Sequence, residues 1–191
     1  MKTLRAGYLT AILCLVPVPS TAQQLPPKSE ARTQLEAFLT QKGSILVKVF
    51  HPLGVVPASY GASADLDAVV IYEPGKEVQR RRGIKITVKE VGRLEREETS
   101  FLDLEEIDSL IKGLDYMAKA STEWAGSQRD YSEMVFMTKG DLQVGFYTDK
   151  GKTQAFIKSG TIGSATAYMQ GDGLKSLRER LEAGLLHLQS N

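Results

Sequence analysis

The sequence predicts an α+β fold in which two antiparallel β-meanders each run into a long amphipathic helix, the two units forming a pseudo-twofold repeat behind an extra N-terminal helix. Three observations predict it. Apolar and polar residues alternate from Ile84 to Lys89, and four further short apolar segments follow one another from Tyr131 to Met169. Apolar residues recur at spacings of three and four from Leu104 to Ala118 and from Leu174 to Leu188. Finally, "TSFLDLEEIDSLIKGL" (Thr99 to Leu114) is echoed by "TAYMQGDGLKSLRERL" (Thr166 to Leu181). Aligned without gaps, the two agree at Thr99/Thr166, Ser109/Ser176, Leu110/Leu177 and Leu114/Leu181, and nearly agree at Phe101/Tyr168, Leu102/Met169 and Ile107/Leu174. The competing explanation is local pattern alone, since any strand that runs into an amphipathic helix shares some leucine positions.

Residues 1–22 read as a signal peptide. Lys2 and Arg5 precede an uncharged apolar run, Ala6 to Val16, followed by Pro17, Pro19 and the small residues Ser20 and Ala22. The run is well short of the roughly 20 residues that span a bilayer. Cys14 follows Leu13 inside that run rather than a set of small residues, so soluble export is expected over a lipid anchor, with a periplasmic or secreted destination. Cleavage after Ala22 removes the only cysteine, leaving neither a disulfide nor a thiol nucleophile. It leaves 22 basic against 23 acidic residues, so the formal charge moves from +1 to −1. A near-neutral chain gives no overall charge argument for nucleic acid or an anionic membrane, nucleic acid is not the expected partner, and no second apolar run predicts a membrane span after processing. The remainder is long enough for one domain with a sizeable core.

Residues 23–43 are expected to form an extended leader, "QQLPPK", and then a helix capped by Ser29 and ending near Gly43, with Ala31, Leu35, Phe38 and Leu39 on its buried side. Residues 44–191 form one α+β domain of two half-units, 44–121 and 131–191. In the first, "SILVKVF" is a β-branched strand, "HPLGVVPASYGASAD" a long loop rich in Pro, Gly and Ser, and "LDAVVIYE" the second strand. Pro74 and Gly75 turn the chain into a third strand, where Ile84, Ile86 and Val88 alternate with Lys85, Thr87 and Lys89. A reversal at Gly92 and Arg93 leads into "LEREETSFL", whose charges suit a sheet edge. Asp103 and Glu106 have capping-box spacing before a helix that buries Leu104, Ile107, Leu110, Ile111, Leu114, Met117 and Ala118. After a polar connection from Ser121 to Asp130, "YSEMVFMT", "LQVGFYT", "TQAFIKS" and "SATAYM" form a second meander. Asp172 then caps a helix buried through Leu174, Leu177, Leu181, Leu185 and Leu188.

A sheet-then-helix unit used twice over residues 44–191 resembles the architecture of the Whirly family of single-stranded-DNA-binding proteins. The likeness is one of topology and transfers no binding residue. The segments "TSFLDLEEIDSLIKGLDYMAK" and "FMTKGDLQVGFYT" are similar to small exported bacterial proteins of uncharacterised function, which implies no activity.

Several residues carry candidate chemistry. Arg80, Arg81 and Arg82 form the sharpest local charge and suit a phosphate, a sulfated glycan or an acidic protein surface. Residues 95–108 hold seven carboxylates against Arg96 alone, so pairing with Asp103 and Glu105 is the expected use of these arginines. His51, beside Pro52, could act as a base with Ser59, Ser63, Asp65 or Asp67, but no G-x-S-x-G elbow accompanies it. His187 is expected to serve the end of its helix. No metal-ligand pattern is present, and Asp65 and Asp67 lack the ligand series of a calcium loop. The glycines of "SGTIGSATAYMQGDG" suit hairpin turns better than an anion cradle, and Trp124 suits packing between the half-units or recognition. The reading that follows is an exported, non-enzymatic binding or interaction module without a cofactor, taking a protein or small-molecule ligand. The alternatives are a hydrolase built on the His51–Asp67 loop and a structural component of an envelope complex.

Overall fold

The computed structural model describes residues 31–127 and 130–190. The expected coarse class is present: an α+β molecule with two four-stranded antiparallel sheets. The first sheet holds β1 (Val47–Pro57), β2 (Ser63–Tyr72), β3 (Arg81–Glu90) and β4 (Arg96–Asp103), in that spatial order. The second holds β5 (Ser132–Met137), β6 (Leu142–Asp149), β7 (Lys152–Ser159) and β8 (Ala165–Met169), also in sequence order. A short helix, α1 (Gln34–Leu39), precedes the first sheet; α2 (Leu104–Trp124) follows it and α3 (Gly173–Ser190) follows the second.

The long helices do not each stay with the sheet that precedes them. α3 lies across β1, β2 and β3 of the first sheet. Gly184 makes this approach close, since a side-chain carbon there would meet Leu53 at 2.6 Å and Ile84 at 2.8 Å. α2 reaches the second sheet as well as the first, with Gly113 against Phe136 and Trp124 edge-on to Phe146 at 5.1 Å. The Arg178 guanidinium of α3 is hydrogen-bonded to Asp115 of α2 at 2.5 Å, which holds it above its ordinary pKa. One continuous apolar cluster therefore draws on both sheets and both helices, including Ile86, Leu110, Phe146 and Leu177. The sheets meet along β3 and β4 against β7 and β8, where the buried hydroxyls of Ser100 and Ser159 share a 2.7 Å hydrogen bond.

Four details differ from the sequence reading. The expected loop from His51 to Asp65 is mostly strand, because β1 pairs with β2 from Val47 to Pro57. The prolines are tolerated because β1 is an edge strand, and the register slips between Pro52 and Gly54, a bulge at which Gly54 takes φ 103°. A single tight turn at Ser59–Gly61 then closes the hairpin. Second, α1 is capped by Thr33 in a capping box with Glu36 and ends at Leu39, four residues before Gly43; Ala31 is exposed. The expected cap, Ser29, lies outside the described residues.

Third, Asp103 stands at the N-cap of α2 but its carboxylate does not cap that helix. It accepts instead from the backbone N–H groups of Gln34 at 2.7 Å and Leu35 at 3.1 Å, capping α1 across 69 and 68 residues of chain. Glu106 likewise turns away and accepts from the Lys139 N–H at 3.0 Å. Fourth, α2 continues to Trp124, past the expected boundary at Ser121, and buries Ala120 while Ala118 is exposed. The strands of the second sheet agree with the sequence reading to within about one residue at each end.

Candidate binding cavity beside the ends of the long helices

The residues singled out in the sequence do not assemble into one site. Arg80, Arg81 and Arg82 line a shallow depression together with Gln34, Asp103 and Glu105, so the expected proximity exists. The expected pairing does not: among the described residues no carboxylate lies within 4.0 Å of these three guanidinium groups. Asp103 is already committed to α1, and Glu105 accepts from the Gln34 side chain at 2.8 Å. Arg82 has a different partner, donating to the Leu188 carbonyl near the end of α3 at 2.7 Å, the placement a helix C-terminus favours. Arg80 and Arg81 face solvent.

His51 points to the inward side of β1, opposite Ala68, and its ring stacks on that of His187 at 3.9 Å with 9° between planes. Asp65 and Asp67 lie on the other side of the sheet, where they pair with Lys89 at 2.8 Å and Lys85 at 3.6 Å. The hydrogen bond and charge of Asp65 raise the Lys89 pKa. Ser63 donates to Asp65 at 3.2 Å, and Ser59 is bonded to Gln170 at 3.1 Å. The base and the acids of the supposed catalytic loop thus occupy opposite faces of a sheet. Trp124 packs between the half-units, and Gly160, Gly163 and Gly171 take positive φ in the turns around β8. No cluster of three metal-ligating side chains occurs among the described residues.

A different region has the form of a binding site. A cavity of about 460 Å³ opens where the C-terminal end of α2 meets β6, β7, β8 and the start of α3. That volume is in the range of sites for small organic molecules. Its apolar wall comes from Phe146, Met169 and Leu174, which the strand and helix periodicities turn inward. Its polar wall comes from Ser121, Thr122 and Thr153, with Gln154 and Gln170 nearby, and no Asp, Glu, Lys or Arg lines it. Four other depressions are lined by charged groups. One of them, beside α1, has a volume of about 340 Å³ and contains the Arg32–Asp141 ion pair together with Glu36 and Glu98.

Hydrogen bonding in the cavity wall is uneven. Ser121 and Thr122 both donate back to the Ala118 carbonyl, at 2.9 and 3.2 Å. The Gln154 amide donates to the carbonyls of Met169 at 2.5 Å and Ala155 at 3.1 Å. Thr153 differs: its hydroxyl oxygen is buried and has no partner. Directly across the β6–β7 register stands Thr148, fully buried, with an equally unpartnered hydroxyl. Only four buried side-chain polar atoms among the described residues lack a partner, and this cross-strand pair supplies two of them.

Sequence reasoning missed both threonines. The available signal was their place on the inward side of strands whose other inward residues include Leu142, Val144, Phe146, Ala155 and Ile157, two hydroxyls symmetric about the Lys150–Gly151 turn. Compared with protein-family models, with curated proteins and with solved structures, the chain matches none of them.

Proposed function

We propose that the protein is an exported binding module that holds a small molecule in the cavity between α2, α3 and the second sheet, without a chemical step of its own. The observation that carries this reading is the cavity itself, about 460 Å³, with an apolar wall of Phe146, Met169 and Leu174 and no charged side chain in its lining. The position of His51, stacked on His187 and away from the acids of its own segment, favours binding over hydrolysis.

Export is inferred from the signal-peptide pattern of residues 1–22, with cleavage after Ala22 and a periplasmic or secreted destination. No helix among the described residues is long and apolar enough to cross a membrane. We further infer that the two sheet-and-helix units are copies of one ancestor. The supporting facts are the shared order of four strands and a helix, and the burial of Ile107, Leu110 and Leu114 in α2 alongside the aligned Leu174, Leu177 and Leu181 in α3. The pairing of α3 with the first sheet makes each copy depend on the other.

Native mass spectrometry of protein recovered from an exporting host tests both parts. The expected species is a chain beginning at Gln23 that carries a small non-covalent adduct, shed on collisional activation. A full-length chain in the membrane fraction would overturn the export reading. An adduct-free chain that also acquires none from a host extract would overturn the binding reading.

A further inference from the structure

We propose that the shallow depression at the start of β3 is a second site, independent of the cavity, and that it binds a free hydrogenphosphate ion between Arg80, Arg81 and Glu105. The depression has a volume of about 150 Å³. That is below the roughly 300 Å³ at which sites for small organic molecules begin, and it suits a single oxyanion. Three guanidinium groups and the carboxylates of Asp103 and Glu105 line it, together with Gln34.

The charges of the wall are unevenly used. Asp103 is buried, and its two oxygens accept from the N–H groups of Gln34 and Leu35. Arg82 is anchored to the Leu188 carbonyl. Among the described residues, the guanidinium groups of Arg80 and Arg81 have no carboxylate within 4.0 Å. The pairing of Arg81 with Ile71 fixes the backbone that carries them, and Lys48, on the other side of Ile71 in the same cross-strand row, adds positive charge to that face. Two uncommitted guanidinium forks suit an anion with several oxygens, because each fork can donate to two of them in parallel.

Glu105 decides which anion. Gln34 at 2.8 Å and Lys139 at 3.8 Å both approach its Oε1, which leaves Oε2 to accept from a ligand. An ionised carboxylate can only accept, so it repels an anion that has no proton to offer. At neutral pH hydrogenphosphate keeps one O–H, whereas sulfate has none and a phosphate monoester loses its last proton at about pH 6. Two unpaired arginines beside an accepting carboxylate therefore favour free phosphate over sulfate and over phosphorylated esters.

The test titrates sodium phosphate, sodium sulfate and glycerol phosphate into the processed chain at pH 7.5 and constant ionic strength, following the backbone amide NMR signals of Arg81, Leu104 and Glu105. Phosphate is expected to shift them saturably, with a Kd about tenfold below those of sulfate and the ester, the difference one hydrogen bond supplies. Arg80→Gln combined with Arg81→Gln should abolish the response, and because both side chains are exposed the fold should be kept. Glu105→Gln should raise the affinity for sulfate to that for phosphate. The absence of a saturable phosphate shift, or a shift that the arginine double variant retains, would overturn the site. Sulfate or the ester binding as tightly as phosphate to the unmodified chain, or a Glu105→Gln chain that still prefers phosphate, would overturn the choice of ligand. Neither result bears on the cavity, whose residues the two variants leave untouched.

Discussion

On the outward face of the first sheet, Leu35 of α1 is fully buried over Val69 and Ile71, within 2.6 Å of where a side-chain carbon on Gly83 would stand. On the outward face of the second sheet, the rings of Tyr131, Tyr147 and Tyr168 touch one another in sequence. Tyr131 and Tyr147 are stacked at 5.6 Å, and Tyr147 and Tyr168 meet edge-on at 6.4 Å. No helix among the described residues covers them; Tyr131 is 62 % and Tyr168 45 % exposed. The difference follows from residue type. β2 reads Ala68-Val69-Val70-Ile71 and is apolar on both sides, so its outward aliphatic groups need a lid. The second sheet presents phenols, whose rings pack together while the Tyr131 hydroxyl donates to the Glu133 carboxylate at 3.2 Å. Phe156 is the only fully apolar aromatic on that side, and it is buried opposite Gly145, where the missing side chain leaves room for its ring.

The largest expected effect breaks the covered face. Leu35→Ala removes the centre of the α1 contact and should cost about 2–5 kcal/mol in a denaturant titration. A loss below about 1 kcal/mol would mean that Val69 and Ile71 do not depend on the lid. Asp103→Ala should follow, at about 1–3 kcal/mol, because it leaves the N–H groups of Gln34 and Leu35 without their acceptor. Asp103→Asn, which keeps one acceptor oxygen, should recover part of that loss. If Asp103→Ala is neutral, α1 is held by Leu35 alone.

The smallest effect concerns the open face. Loss of water around the Tyr131 ring, then the negative charge of Glu133, raises its pKa above the ordinary tyrosine value of about 10. A group whose folded pKa is raised favours folding below its unfolded pKa, and that contribution disappears as pH rises through the folded one. Stability should therefore decline only in alkali, above about pH 10. The phenolate absorbance missing from Tyr131→Phe should titrate above the ordinary tyrosine value of about 10, and Glu133→Gln should bring it down. If Glu133→Gln leaves it unmoved, the carboxylate does not stand beside the phenol in solution.

How much of this was legible depends on the range of the interaction. β5 to β8 followed from alternation and turn residues because each strand pairs with its sequence neighbour. The faces of α2 and α3 followed from leucine spacing because a helix is a local structure. β1 was obscured by Pro52, Gly54 and Pro57, which punctuate a sequence as a loop does but are accommodated at an edge strand by a bulge. The role of Asp103 was hidden because its partners lie 68 and 69 residues away, and capping-box spacing with Glu106 supplied a nearer explanation. The cavity is assembled from residues as far apart as Ser121 and Leu174, with none of the motifs that chemistry leaves in a sequence.

Arg180 of α3 donates to the Leu53 carbonyl at 2.8 Å, and its guanidinium lies where a side chain on Gly54 would have to stand. α3 thus closes over β1 across 127 residues of chain. This sets an order in time. The strands β1 to β3 pair with their sequence neighbours, whereas the helix that covers their inward surface is contributed from more than 80 residues further along, so closure of this part of the core is a long-range step that follows local strand pairing.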